Sequence, residues 1–301
     1  MHHFALLGPK PARQPLTRYA IAMTALALIG GCVNRPVPPI LQPAGGTIAS
    51  ATATAARVDA LLPADALLIG EQHDAAEHQQ IGQQVVAHLA GRGLLAALAI
   101  EMADAGVSTA KLKPTSTEQQ VQDALRWNDK GWPWAAYSLA VMTAVRAGVP
   151  VLGANLPTAQ MRSSMGDAKL DTQLPGPALK AQQQLIRIGH CNLLPESQIT
   201  PMTRIQIAKD RAMAKTIEDV ALPGKVVVLL AGNGHVNRQL GVPQHLPATL
   251  HIKAVHLRAG NATDDDSAFD STWATPPLAE KDYCAGLREQ FGNKTDAAVK
   301  P

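Results

Sequence analysis

Ala66-Leu67-Leu68-Ile69-Gly70-Glu71-Gln72-His73-Asp74 is an apolar run that ends abruptly on acids, an amide and an imidazole. Three other runs are built alike. Leu98-Ala99-Ile100 leads into Glu101, Pro150-Val151-Leu152-Gly153-Ala154 into Asn155, and Val226-Val227-Val228-Leu229-Leu230 into Ala231-Gly232-Asn233-Gly234-His235. Apolar runs this short, alternating with helical stretches, read as strands of a parallel sheet buried on both faces. Ligands of open α/β sheets bind outside the carboxyl ends of the strands. Glu71, His73, Glu101, Asn155 and His235 are therefore expected on one pocket rim. The predicted fold class is α/β, a mostly parallel central sheet flanked by helices, with a helical cap inserted between strands.

Outward from the runs, Ile81, Val85 and Leu89 predict a helix over 77–90, stopped by Gly91-Arg92-Gly93. Residues 116–147 read as helix interrupted at Asn128-Asp129-Lys130-Gly131-Trp132-Pro133, and further helices are expected over 157–164 and 178–188. Thr200-Pro201 predicts an N-cap with proline at the first helical position, opening a helix that runs to Ala221. Alternating His251, Lys253 and His256 predict a fifth strand over 249–257 at the sheet edge. About 50 residues separate the second run from the third and about 70 the third from the fourth, whereas a crossover needs roughly a dozen. That excess is the expected cap.

The N-terminus carries Lys10, Arg13 and Arg18, then an apolar stretch over 20–29 and Gly30-Gly31-Cys32. A basic region, a short apolar region and small residues make a secretory signal, too short for a permanent span. Leu28-Ile29-Gly30-Gly31-Cys32 resembles a bacterial lipobox, which implies cleavage before Cys32 and acylation there, palmitate included. An ordinary signal peptide with an incidental cysteine is the alternative. Val33 rather than Asp next to it points to the outer membrane. Pro36, Pro38, Pro39 and Pro43 suit an extended tether. The expected organisation is a signal peptide over 1–31, a lipid-anchored flexible tether over 32–56, and one α/β domain over 57–301.

Of three cysteines, the lipobox takes one. Cys191 and Cys284 are left, and outside the cytoplasm a disulfide between them can persist. Closing a loop of about 90 residues would stabilise by roughly 4 kcal/mol; two buried free thiols are the alternative. With no Cys-x-x-Cys-His, covalent c-type haem is excluded. The net charge is +3, and no basic run interleaves with aromatics, so nucleic-acid binding has no footprint.

Glu71, His73, Glu101 and His235 suit two chemistries: acid–base hydrolysis, or a divalent metal on His73, Glu71 and His235 that activates water. Trp132, Trp134 and Tyr137 form a local group in a chain with 3% aromatics, where they line a flat apolar ligand's site or pack a helix. His78 and His190 are further candidate ligands. Gln206 and Asp210 share a helix face, for which solvent exposure is the simpler reading.

Gly70-Glu71-Gln72-His73-Asp74 with His78, Ile100-Glu101-Met102, Trp134-x-x-Tyr137, Gly153-Ala154-Asn155-Leu156-Pro157, His190-Cys191, Gln206-x-x-x-Asp210 and Gly232-Asn233-Gly234-His235 resemble the ChaN-like lipoproteins. That family is similar to the wider Tiki/TraB/erythromycin-esterase group. The resemblance spans about residues 60–285. It implies non-covalent haem binding for iron acquisition, with Tyr137 the first candidate iron ligand and His73, His78 and His190 behind it, Asn155 and Trp134 lining the site. The expected partners are haem, the membrane through its lipid anchor, a haem receptor and a second copy of the chain in a homodimer. The hydrolytic alternative, peptidase- or esterase-like, keeps Glu71, His73, Glu101 and His235 as its residues.

Overall fold

A computed structural model describes residues 50–260 and 267–289. The expected signal peptide, Cys32 and most of the tether lie outside the described residues.

The first described element is α1 (Ala51–Asp59), so residues 51–56, expected to be flexible, are helical. Ser50 accepts a hydrogen bond from Ala53 N–H as an N-cap, and the helix buries Thr54 and Val58. Then follow β1 (Ala66–Glu71), α2 (Ala76–Gly91), β2 (Leu95–Asp104), α3 (Glu118–Leu125), α4 (Trp134–Arg146), β3 (Val151–Asn155), α5 (Thr158–Gly166), α6 (Gly176–Gly189), α7 (Glu196–Val220), β4 (Val226–Gly232), the single turn α8 (Asn233–Val236), β5 (Ile252–Ala259) and β6 (Ser271–Thr275). All four quoted runs are strands. α7 begins at Glu196 rather than at Thr200: Pro195 precedes its first turn, and Pro201 lies inside the helix. Pro201, in the second turn, removes the hydrogen bond that an N–H there would give to the Ser197 carbonyl.

The six strands form one sheet in the order β3-β2-β4-β1-β5-β6, with every strand pairing parallel. β5 was expected at the edge, but β6 covers it. Ser271-Thr272-Trp273-Ala274-Thr275 holds no apolar run; Trp273 alone goes into the core, its indole N–H donating to Ser271 Oγ at 2.9 Å.

Side chains alternate across the sheet. Leu67 and Ile69 of β1, with Val228 and Leu230 of β4, join Ile81, Val85 and Leu89 of α2 and Val141 and Val145 of α4 in one core. Leu68, Val227 and Leu229 face Met213, Ala214 and Ile217 of α7 in the other. Full burial of each such side chain contributes about 1.5–3 kcal/mol. The long insertions thus supply flanking helices, α4 on one face and α7 on the other. The loop between α3 and α4 brings Trp132 to the rim.

Register fixes the site. Glu71 pairs with Gly232, and Ile100 with Leu230, so Glu71, Gly232 and Glu101 lie close together on β1, β4 and β2.

Candidate functional site

From this rim a continuous polar chain runs through the protein. Tyr137, in the first turn of α4, donates its hydroxyl to Glu71 Oε1 at 2.8 Å. His73 Nδ1 lies 2.9 Å from the same oxygen, and its Nε2 lies 3.6 Å from Glu101 Oε2. Glu101 Oε2 also accepts from Gly232 N–H at 2.8 Å, while its Oε1 lies 3.3 Å from His235 Nε2. His235 Nδ1 bonds Asp210 Oδ1 at 2.5 Å, and the Gln206 amide sits 3.1 Å from that ring nitrogen. Only His73 opens to solvent appreciably, with 37% of its side chain exposed; Glu71, Glu101, Tyr137, His235 and Asp210 are buried.

Charge in this chain follows from pairing against burial. Burial disfavours His235 as a cation, but the Glu101 and Asp210 carboxylates outweigh it and push its pKa up to about 10. Burial raises Asp210 to about 6 despite the imidazolium beside it. Glu101 is held well below the usual carboxylate range: burial acts upward, and His235, His73 and Gly232 N–H overcome it. His73 is depressed by burial but raised on balance by its Glu71 hydrogen bond and the Glu101 charge. Burial and the adjacent Glu71 push the Tyr137 phenol far above its ordinary value.

Gly232 makes room for this arrangement. A Cβ there would sit 2.9 Å from His73 Nε2. Gly232→Ala is expected to displace the imidazole from Glu101 at a cost of about 1 kcal/mol, since the Gly232 φ of −62° suits alanine and the clash falls on side-chain atoms. Urea unfolding measures the second effect and the His73 titration by NMR the first; an unmoved His73 pKa rejects the steric account.

The other expected site residues fall differently. His78 is fully buried, accepting from Gln72 N–H at Nδ1 (2.9 Å) and placing Nε2 2.9 Å from Thr275 Oγ1. Burial lowers its pKa to about 4. It is a neutral clamp between the β1–α2 loop and β6, with both nitrogens taken, and not an open ligand. Trp134 donates its indole N–H to Glu118 Oε2 at 2.7 Å and meets Trp127 edge-on, so it packs helices; Trp132 lines the rim in its place. His190 caps α6, its Nδ1 2.8 Å from Ile186 O, and lines neither rim cavity. Asn155 does reach the rim, with its Oδ1 lacking a hydrogen-bond partner among the described residues. Cys191 and Cys284 form the disulfide, 5.8 Å apart at Cα.

Glu71, His73 and His235 do not converge as a metal triad. Among the described residues no group of three or more His, Cys, Asp or Glu is placed to hold a metal ion.

Two cavities share Trp132 as a wall. A polar one of about 420 Å³ is lined by Glu101, Asp104, Asn155 and Lys209. A more apolar groove of about 550 Å³ is lined by Gln72, His73, Trp132, Pro133, Ala136, Tyr137 and Tyr283. Tyr283 carries no sequence motif, and only its position beside Cys284 hints at the rim. Asp210, read as exposed, is fully buried. Its spacing to Met213, Ala214 and Ile217 puts it on the apolar stripe of α7, which is the signal that finds it.

Fold and rim together define an α/β ligand-binding protein with its site at the carboxyl end of a parallel sheet. The chain belongs to the family described as haem-binding uptake, Tiki superfamily, ChaN, whose model matches residues 57–246. It is similar to the solved structure titled "Cofacial heme binding to ChaN of Campylobacter jejuni", at 27% identity and a TM-score of 0.58, over 69% of this chain and 86% of that one. It also resembles the type III effector HopBA1, at 18% identity and a TM-score of 0.44, over 74% of this chain and 92% of that one; that likeness is too slight to bear on the site. No curated protein matches the chain.

The residues fit the group that the family implies. A phenol oxygen and an imidazole nitrogen are both haem-iron ligands. Tyr137 and His73 supply them on one groove, beside the apolar surfaces of Trp132, Pro133 and Ala136. The groove volume lies within the usual range for ligand sites.

Proposed function

We propose that the protein binds haem non-covalently in the Tyr137–His73–Trp132 groove, with Tyr137 as the oxygen donor to the iron. One observation carries this reading: the Tyr137 hydroxyl already donates to Glu71, so its proton has a destination. Bound haem supplies a Lewis-acidic iron that an anionic oxygen satisfies. Glu71 takes the phenolic proton, and His73, on the same carboxylate oxygen and open to solvent, is its way out. Trp132 meets His73 edge-on at 4.8 Å and Tyr137 at 6.1 Å, giving a planar ligand an aromatic wall.

The role is haem or iron acquisition at the cell envelope, with an acyl anchor at Cys32 in the outer membrane and haem passed to a receptor. Pairing as a homodimer belongs to the same reading. The basic and apolar pattern before Cys32 supports the anchor. The Cys191–Cys284 disulfide supports an oxidising compartment. Among the described residues no helix is long and apolar enough to cross a membrane.

Hemin added to the purified soluble domain is expected to give a Soret shift that saturates at a fixed stoichiometry. A shift that rises without saturating rejects the reading.

A second reading, acid–base hydrolysis, is favoured by Glu101, which is held ionised between His73 and His235 and lines the polar cavity. An ester and peptide panel on wild type, Glu101→Gln and Glu71→Ala tests it. Turnover that survives both substitutions removes these carboxylates from any mechanism.

A further inference from the structure

Tyr283 is an aromatic residue that the fold itself does not bury: it is 53% exposed, yet it lines the same groove as His73, Trp132 and Tyr137. It lies beyond the family match at 57–246, on the segment that follows β6. Polar contacts dock that segment on the loop carrying His73. Tyr283 Oη donates to Asp74 Oδ2 at 2.9 Å and accepts from Gln72 Nε2 at 3.1 Å. Lys281 Nζ pairs with Asp74 Oδ2 at 3.3 Å and lies 4.9 Å from the Tyr283 ring centre. Exposed pairs of this kind hold a segment weakly. The strong tie is covalent: Cys284, next in the chain, is bonded to Cys191 just past α6.

We propose that the segment around Tyr283 is a disulfide-anchored wall of the ligand groove, and that the Tyr283 ring is its contact with the bound planar macrocycle. This rests on the haem reading above. The phenol oxygen is used in anchoring to Asp74 and Gln72, which leaves the ring face for the ligand. The disulfide acts through Tyr283, by keeping the ring at the groove instead of letting the segment lift away. The cross-link limits the excursions open to a segment otherwise held here by surface hydrogen bonds.

The test is haem release from hemin-loaded protein into an excess of apomyoglobin. Compared are wild type, Tyr283→Ala, Tyr283→Phe, Cys191→Ser/Cys284→Ser, and the triple variant joining Tyr283→Ala to the serine pair. Loss of a single aromatic contact shows mainly in the off-rate. Tyr283→Ala and the serine pair are each expected to release haem about tenfold faster. Tyr283→Phe keeps the ring and stays within about threefold of wild type. The triple variant releases no faster than Tyr283→Ala, because residues acting through one contact are not additive. Far-UV circular dichroism identifies any loss of fold in the serine pair, and Tyr283→Ala leaves the disulfide intact as an independent arm. Release from Tyr283→Ala at the wild-type rate overturns this inference and leaves the haem reading standing. A wild type that takes up no hemin overturns both.

Discussion

Asp210→Ala lowers the unfolding free energy by about 3–5 kcal/mol, read from urea denaturation at neutral pH. The reason is the charge left behind. His235 is buried and kept protonated by two carboxylates, and Asp210, fully buried, is its closer partner at 2.5 Å. Without Asp210 the imidazolium faces Glu101 alone, and its desolvation is no longer offset on the Nδ1 side. Asp210→Asn keeps an acceptor there and removes only the charge, so its loss is smaller than that of alanine. The pH dependence follows from the same pair. His235 has a folded pKa raised to about 10 from an ordinary 6.5. Its stabilising contribution is therefore fully present below about 6.5 and is lost as pH rises through about 10. Wild-type stability should fall across that window, and the fall should be shallower in Asp210→Asn, where the cation is held less firmly. An Asp210→Ala variant as stable as wild type would show that His235 is neutral in the fold.

How far such features can be read from sequence depends on which interaction makes them. The four strands and their parallel pairing follow from runs such as Val226-Val227-Val228-Leu229-Leu230, because double-sided burial leaves no polar face and so marks itself. The rim follows in turn, since Glu71 and Gly232 close their strands and Glu101, shortly before the end of β2, lies beside them. β6 escaped because an edge strand needs only one buried side chain, Trp273. His78 was misplaced for a different reason: whether an imidazole is a ligand or a clamp is decided by Gln72 N–H and by Thr275, nearly two hundred residues away. Asp210 was legible in spacing but overruled by its polarity. A buried carboxylate looks improbable until its partner His235, on another element, is in place. Tyr283 is the extreme case, in the groove beside a cysteine whose disulfide partner lies 93 residues away.

Tyr137→Phe is the decisive substitution for the haem reading, because it deletes one oxygen and changes little else. Substituting even an outer partner of a metal ligand typically costs about 10–100-fold in affinity, and loss of the ligand itself belongs at or beyond the top of that range. A drop of about 100-fold in hemin affinity is therefore expected, with a changed Soret maximum for the haem that still binds. Stability should move by only about 1 kcal/mol, the value of one hydrogen bond, since Glu71 keeps His73 as a partner. Glu71→Gln should weaken hemin binding by about tenfold while leaving the phenol in place, because a neutral amide cannot receive its proton. The pH profile separates this from mere packing. Burial and Glu71 hold the Tyr137 phenol above its ordinary range, so throughout the accessible pH range the free protein carries the proton. Binding that displaces this proton strengthens as pH rises, whereas binding to His73 alone strengthens only until that imidazole is neutral. Wild-type affinity should accordingly keep climbing on the alkaline side of the His73 titration, and the Tyr137→Phe profile should level off there. If the two profiles run parallel, the phenol is a wall of the groove and the iron takes its ligand from His73.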